Sequence, residues 1–125
     1  MNIQQALDYA DQLKPNMMER QLKLAFLTEV EQLFHREVRM KHEHTEEEEV
    51  LPEYTEDTDP GTIMLIPDPY SMLYVYWLLM KIDMQNLESD KWNQDAQRFD
   101  QAWGTMEDWY TREHMPVTKQ MYYRM

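Results

Sequence analysis

The sequence predicts a single-domain, mainly all-α protein, a bundle of about four helices. A chain of 125 residues has the usual size of one domain and buries enough surface for one modest core. Hydrophobic residues make up 42% of the chain, too many for a disordered polymer. With only 2 glycines, it lacks the residues that many short strands and tight turns require. We therefore expect helices to dominate the fold.

The first predicted helix spans residues 2 to 13. Apolar residues recur there at helical spacing, which places them on one face. Asn2 is a good N-cap, and Pro15 ends the pattern. The same residues lack the basic start and the continuous apolar run of a secretory signal. We therefore expect synthesis and retention in the cytoplasm.

The second predicted helix, residues 17 to 35, follows a capping box made by Asn16 and Glu19 and carries a broad apolar face. Residues 38 to 42 alternate between apolar and charged side chains, a pattern that fits either a continued helix or a half-buried strand. Residues 62 to 66 are apolar and β-branched and have the right length for one strand. The sequence therefore allows a short β-hairpin between these two runs in addition to the helices.

The third predicted helix spans residues 69 to 86. Asp68 is its expected cap, with Pro69 at the first helical position. The following residues are apolar nearly all round, so this helix should lie at the centre of the core, with Trp77 largely buried. Its longest apolar run, residues 72 to 80, is about half of what a membrane span requires. We expect no membrane association.

The fourth predicted helix spans residues 90 to 112 and carries a heptad seam. Over fewer than three heptads, such a seam is typical of packing within one chain, so Trp103 should be largely buried. Gly104 interrupts the helix at a cost of about 1 kcal/mol relative to alanine. It either permits a close approach or a bend, or is simply tolerated. The seam consists of Trp92, Ala96, Phe99, Trp103, Met106 and Tyr110.

Negative charge is concentrated in one predicted loop, residues 41 to 60. The chain has a net charge of −12, and this loop carries −8 of it. The loop has almost no apolar residues, so burial cannot offset its ordering entropy, and we expect it to be solvated. Such a charge does not attract nucleic acid or anionic membranes. A glutamate run forms its centre: Glu46, Glu47, Glu48 and Glu49.

The chain is predicted to divide into a helical domain, residues 1 to 115, and a C-terminal arm, residues 116 to 125. Proline at position 116 disfavours helical backbone in the preceding residue. The arm is basic and aromatic, and such residues are enriched where interfaces form. A frayed terminus with chance aromatics is the alternative. The predicted partner-binding residues are Met115, Pro116, Lys119, Met121, Tyr122, Tyr123 and Arg124.

Catalytic chemistry has little support in the sequence. There is no cysteine, which excludes disulfides and thiolate sites. His42 and His44 lie near glutamates and have the residue types of a metal site, but a metal needs rigid ligands and this stretch has the composition of a loop. His35 and His114 stand alone, and no phosphate-binding or nucleophile motif occurs. We predict a protein that is not an enzyme and has no metal or cofactor.

One combination of short segments, spread over residues 57 to 116, points to a known family. The segments are Asp57-Thr58-Asp59-Pro60, Leu65-Ile66-Pro67-Asp68-Pro69-Tyr70, Leu73-Tyr74-Val75-Tyr76-Trp77, Lys81-Ile82-Asp83, Lys91-Trp92-Asn93, Phe99, Trp109-Tyr110 and Thr111-Arg112-Glu113-His114-Met115-Pro116. In these segments, roughly half of the chain resembles head-to-tail connector, or neck adaptor, proteins of tailed phages and prophages from Gram-positive hosts. The glutamate run of residues 46 to 49 departs from the pattern of that family.

The resemblance implies a helical structural protein of the virion neck, made in the host cytoplasm. Such proteins assemble as a homo-oligomeric ring between the portal protein and a tail or stopper protein. They act by contact, so the family has no catalytic residues to transfer. The phage genome passes nearby without specific binding, and clustered carboxylates that face the DNA would repel its phosphates.

Two other functions remain open at this stage. Small acidic phage proteins include inhibitors that mimic DNA, but a mimic needs negative charge at phosphate-like spacing over a rigid face. Here most of the charge lies in one loop. A metal-dependent enzyme that uses His42 and His44 is the weaker alternative.

Overall fold

A computed structural model of the protein describes residues 1–117 and shows a helical bundle. Its four helices are α1, Ile3–Leu13; α2, Arg20–Glu37; α3, Met72–Gln85; and α4, Ser89–Glu113. Two short 3₁₀ turns follow α2, at Arg39–Lys41 and Glu47–Glu49. The predicted all-α class is confirmed. Within residues 1–117, no helix combines the length and the apolar character needed to cross a lipid bilayer.

Helix α3 is the centre of the bundle, as its uniformly apolar sequence predicts. It packs against α1, α2 and, most extensively, α4. Its Leu73, Val75, Leu78 and Ile82 side chains are fully buried. Since α4 follows α3 after a short turn, the two form an antiparallel hairpin, in which the Trp77 and Phe99 rings lie 5.0 Å apart. The other helices are arranged around this pair.

Helix α1 begins as predicted. The Gln5 N–H donates to the Asn2 side chain at 2.8 Å, and the Asn2 N–H donates to the Gln5 side chain at 2.9 Å. This reciprocal capping box satisfies donors that have no partner within the helix. The buried face consists of Ile3, Ala6, Leu7 and Ala10.

The predicted start of α2 is wrong by three residues. Asn16 accepts a hydrogen bond from the Met18 N–H at 3.1 Å and donates to the Lys14 carbonyl at 3.0 Å. Its side chain is therefore used in a local turn before the helix, as often happens with asparagine. Glu19 is the N-cap residue and makes no side-chain cap bond. The predicted capping box is absent.

The optional β-hairpin between residues 38–42 and 62–66 does not form. The Lys41 N–H donates to the Val38 carbonyl at 3.2 Å, so the backbone after α2 continues into a 3₁₀ turn and is not free to pair. Residues 62–64 pair with the N-terminal segment, since the Met64 N–H donates to the Met1 carbonyl at 3.1 Å. Residues 1–117 contain isolated β-bridges and no strand.

Helix α3 also begins later than predicted, at Met72. The Asp68–Pro69 peptide bond is cis, and the Tyr70 N–H donates to the Pro67 carbonyl at 2.9 Å. Residues 67–70 thus form a turn ahead of the helix. The Asp68 carboxylate accepts from the Ser71 hydroxyl and not from the helix backbone.

The heptad seam of α4 packs inside the chain, as predicted. Phe99, Met106 and Tyr110 are buried. Trp77 and Trp103, which we expected to be largely buried, are partly buried and pack against the core. The Trp77 Nε1 donates to the Phe26 carbonyl at 2.9 Å, and the Lys81 ammonium lies 4.5 Å from the Trp77 ring. The first interaction ties the Trp77 indole to α2, and the second lies within α3.

We expect the Gly104→Ala variant to be more stable than the natural protein by about 0.5–1 kcal/mol. A Cβ atom at Gly104 would meet no atom within 4 Å, so the glycine does not serve a close approach and is simply tolerated. Alanine restricts the unfolded backbone and favours the helix. Urea denaturation followed by circular dichroism measures the change. An unfolding midpoint below that of the natural protein would contradict the prediction.

Candidate partner-binding site

The acidic loop and the start of the C-terminal arm lie side by side. The Glu43 N–H donates to the Met115 carbonyl at 2.8 Å, and His42 forms an isolated antiparallel bridge with Pro116. Residues some 70 positions apart in the sequence are thereby fixed at one end of the bundle. The sequence predicted both segments but not their contact.

His42 holds this contact together. Its ring is buried, with Nδ1 2.6 Å from the Val38 carbonyl and Nε2 3.1 Å from the Thr111 hydroxyl. The ring also meets the Tyr110 ring edge-on, with centroids 5.1 Å apart. Both nitrogens are therefore used to join the end of α2 to the end of α4. Within residues 1–117, no group of three or more His, Asp or Glu side chains is placed to hold a metal ion.

Of the two isolated histidines, His114 contacts the end of α4 and His35 lies in the core. The Nδ1 of His114 lies 3.1 Å from the Tyr110 carbonyl, and the His114 ring stacks on the Tyr110 ring at 3.8 Å. His35 is buried in α2, and burial lowers its pKa. Because its ring is buried, His35 is part of the core.

The glutamate run forms an ordered turn. The Thr45 N–H donates to the Glu48 carboxylate at 3.0 Å, and this bond, together with the nearby Arg39, lowers the pKa of Glu48. The Arg39 guanidinium also donates to the Glu48 carbonyl at 3.1 Å. His44 lies 3.4 Å from the Glu49 carboxylate. Glu48 is therefore held against the protein, and the other three glutamates are exposed.

The second half of the acidic loop is anchored to α2, which corrects the expectation of a simply solvated loop. The Tyr54 N–H donates to the Thr28 hydroxyl at 2.9 Å, and that hydroxyl donates back to the Tyr54 carbonyl at 3.2 Å. Gln32 donates to the Pro52 carbonyl at 3.0 Å. Tyr54 itself is buried. The sequence signal for this anchor was Tyr54, the one aromatic residue of the acidic loop. The average composition of the loop gave no weight to a single residue.

The Tyr54 anchor ends on a buried carboxylate. Glu31 has no solvent exposure and accepts hydrogen bonds from the Tyr54 hydroxyl, the Tyr74 hydroxyl and, at 2.9 Å, the Leu65 N–H. Burial raises the pKa of Glu31 while the hydrogen bonds oppose that shift, and burial together with the carboxylate raises the pKa of both tyrosines. Glu31 is closed off from substrates, and it ties the acidic loop to α2 and α3.

A second buried charge cluster joins α1, α3 and α4. The Lys14 ammonium pairs with Asp83, which is fully buried, and lies 3.3 Å from Asp95. Burial raises the pKa of Asp83. Burial opposes the charged form of Lys14 as well, but hydrogen bonds to the two aspartates raise its pKa overall. One ammonium thus serves two carboxylates, and the second oxygen of Asp83 is buried without a hydrogen-bond partner. The cluster ties the three helices together at this point.

Only the first residues of the predicted arm lie in the described part of the chain. Helix α4 ends at Glu113, before Pro116, as predicted. Met115 is 56% exposed, but its carbonyl and Pro116 are fixed against residues 42 and 43. The first residue of the arm is therefore attached to the bundle. The remaining predicted arm residues lie outside the described residues: Lys119, Met121, Tyr122, Tyr123 and Arg124.

The class defined by this structure is a small helical bundle with an anchored acidic loop and the root of a basic arm at one end. Comparison of the chain with protein-family models, with curated proteins and with solved structures gives no match.

Proposed function

We propose that this chain is a structural head-to-tail connector of a tailed phage, one subunit of a ring between the portal and a tail or stopper protein. The observation that carries the proposal is the pairing of the acidic loop with the arm root through His42 and Glu43. The acidic loop and the root of the basic arm meet at one end of the bundle. Contacts with neighbours then need no large rearrangement of the bundle, which favours assembly.

The exposed glutamates suit a surface past which DNA moves. Glu46, Glu47 and Glu49 are exposed on the turn that Arg39 and Thr45 hold in place. Carboxylates repel phosphates, whereas lysine and arginine would retain the genome. In this proposal the protein is made in the host cytoplasm, resides in the virion neck and acts by contact, without catalysis or a cofactor.

A DNA-mimic inhibitor has less support. A mimic requires carboxylates spread over a face at phosphate-like spacing. Glu46, Glu47 and Glu49 lie together at one short 3₁₀ turn, and Glu48 is engaged with Arg39 and Thr45. A compact patch of this kind repels DNA locally without imitating a duplex.

Deletion of residues 118–125 should abolish ring formation or portal binding and leave the fold intact. The truncation keeps Met115 and Pro116, whose contacts with residues 42 and 43 belong to the bundle. Native mass spectrometry measures the ring, and co-purification with the portal measures binding. Circular dichroism should show the same helical content in both proteins.

The matched control neutralises the glutamate turn and leaves the arm in place, through Glu46→Gln, Glu47→Gln and Glu49→Gln. In the connector proposal this variant still assembles, because the three glutamates that it replaces face DNA. A truncated protein that still joins heads to tails would refute the role of the arm. A full-length chain that stays monomeric with and without the portal would refute the connector.

A further inference from the structure

A groove of about 420 Å³ lies between the first half of α2 and the second half of the acidic loop. Ala25 contributes exposed apolar surface from α2, where Leu24 is almost fully buried and Gln21 and Thr28 are polar. Glu53, Glu56 and Asp57 line the loop side and are exposed. No lysine or arginine is among the described residues that line the groove. The groove thus combines a small apolar surface at Ala25 with a rim of three negative charges.

The rim is held in place. Tyr54 lies between the rim acids, and its backbone is bonded in both directions to the Thr28 hydroxyl of α2. Its ring reaches the buried Glu31 carboxylate. The Thr55 N–H donates to the Thr58 hydroxyl at 2.9 Å, which closes the following turn. A partner that binds here therefore meets a formed surface and has little ordering of the loop to oppose it.

We propose that this groove binds residues 118–125 of a second copy of the chain. That segment carries Lys119 and Arg124 and no acidic residue, which is complementary to the rim. Its Met121, Tyr122 and Tyr123 supply the large side chains that enter apolar interfaces. The inference rests on the proposed ring and names the contact between its subunits.

The position of the arm root favours a second copy over the arm of the same chain. The root is fixed to His42, whose ring contacts Val38 at the far end of α2. The groove begins at Thr28, ten helical residues or about 15 Å away from Val38. The side chain at Lys119 is only two residues beyond Val117, a reach of about 7 Å. An arm of the same chain thus starts at the end of α2 away from the groove, whereas the arm of a second copy has no such constraint.

An arm-in-groove contact joins two different surfaces of neighbouring copies. Such a head-to-tail contact repeats from subunit to subunit and closes into a ring when the rotation permits. This is the symmetry that a ring around a DNA passage requires. Each subunit donates one arm and accepts one arm.

Disulfide trapping tests the occupant directly, because the full-length chain contains no natural cysteine. Ala25 lines the groove and is exposed, so an Ala25→Cys/Tyr122→Cys protein carries one thiol in the groove and one in the arm. We expect oxidation to give a ladder of covalent dimers and larger species on a non-reducing gel. The control, Gln94→Cys/Tyr122→Cys, places the first thiol on an exposed position of α4 and should give no ladder. Monomers closed on themselves, no cross-link, or equal ladders from both proteins would each overturn the proposal.

Charge neutralisation gives an independent test. The groove variant Glu53→Gln/Glu56→Gln/Asp57→Asn and the control Glu46→Gln/Glu47→Gln/Glu49→Gln each remove three negative charges from the same loop. We expect the groove variant to weaken self-association about tenfold in sedimentation analysis, while the control changes it by no more than about twofold. Equal effects would overturn the groove assignment. Self-association without portal binding would count against the connector alone, whereas rings insensitive to the groove variant would count against this inference alone.

Discussion

Replacement of Glu31 by alanine should lower the free energy of unfolding by about 3–5 kcal/mol. The substitution leaves the Tyr54 and Tyr74 hydroxyls and the Leu65 N–H without their acceptor in the interior. A buried donor without a partner costs about 1–3 kcal/mol, and the lost side chain adds a cavity. Urea denaturation followed by circular dichroism measures the difference. An alanine variant within about 1 kcal/mol of the natural protein would show that the network does not stabilise the fold.

Glu31→Gln is the matched control because it keeps the shape and one acceptor oxygen but removes the charge. Burial raises the pKa of Glu31 above its ordinary value of 4.5, so the folded state binds this proton more tightly than the unfolded state. The stability gained from this tighter proton binding is fully present below the pKa of Glu31 in the unfolded chain. It is lost as the pH rises through the pKa of Glu31 in the folded protein. The stability of the natural protein relative to Glu31→Gln should therefore fall as the pH is raised from about 4. A difference that grows with pH would contradict this assignment.

Lys14→Met should also cost about 3–5 kcal/mol of unfolding free energy. The substitution removes the cation that lies against Asp83 and Asp95 and leaves the fully buried Asp83 without a counter-charge. Since α1, α3 and α4 meet at this cluster, the whole bundle should lose stability together. Thermal denaturation should show a single transition at a lower temperature.

The compensating variant for this cluster is Lys14→Met/Asp83→Leu. Replacement of a buried ion pair by apolar side chains of similar volume is often neutral or stabilising, so the double variant should regain most of the stability that Lys14→Met loses. Asp95 keeps a second partner, Arg98, at 3.5 Å. A double variant as unstable as the single one would show that packing around Lys14, and not the charge on Asp83, sets the loss.

Regions with repeating local patterns were predicted well. The apolar period of α1 and the heptad seam of α4 each predicted a helix and its buried face, and the continuous apolar run of α3 predicted a central helix. Helix starts were less predictable where side chains had competing partners. Asn16 closes a turn, and Asp68 accepts from Ser71. Local hydrogen bonds of this kind compete with helix capping, and the sequence alone does not predict whether the side chain caps the helix or closes a turn.

The acidic loop shows why composition was insufficient there. Its average polarity is that of a solvated segment, and the exposed residues of the glutamate turn agree with that reading. Tyr54 departs from the average, because its partners Thr28 and Glu31 come from α2. A loop with such an anchor is ordered by contacts with residues outside the loop, which its own sequence does not reveal.

The sequence by itself determined the helical class, the faces of the helices, the concentration of negative charge and the break before the basic arm. These features follow from the spacing and the type of neighbouring residues. Only the tertiary structure decided which polar groups are buried and which distant segments touch. Glu31 is tolerated in the core because three donors from three other segments meet it, and the loop lies beside the arm because His42 bridges the ends of α2 and α4. Such partners are brought together by packing of the whole chain, since burial of a polar group is favourable only where its hydrogen bonds are completed.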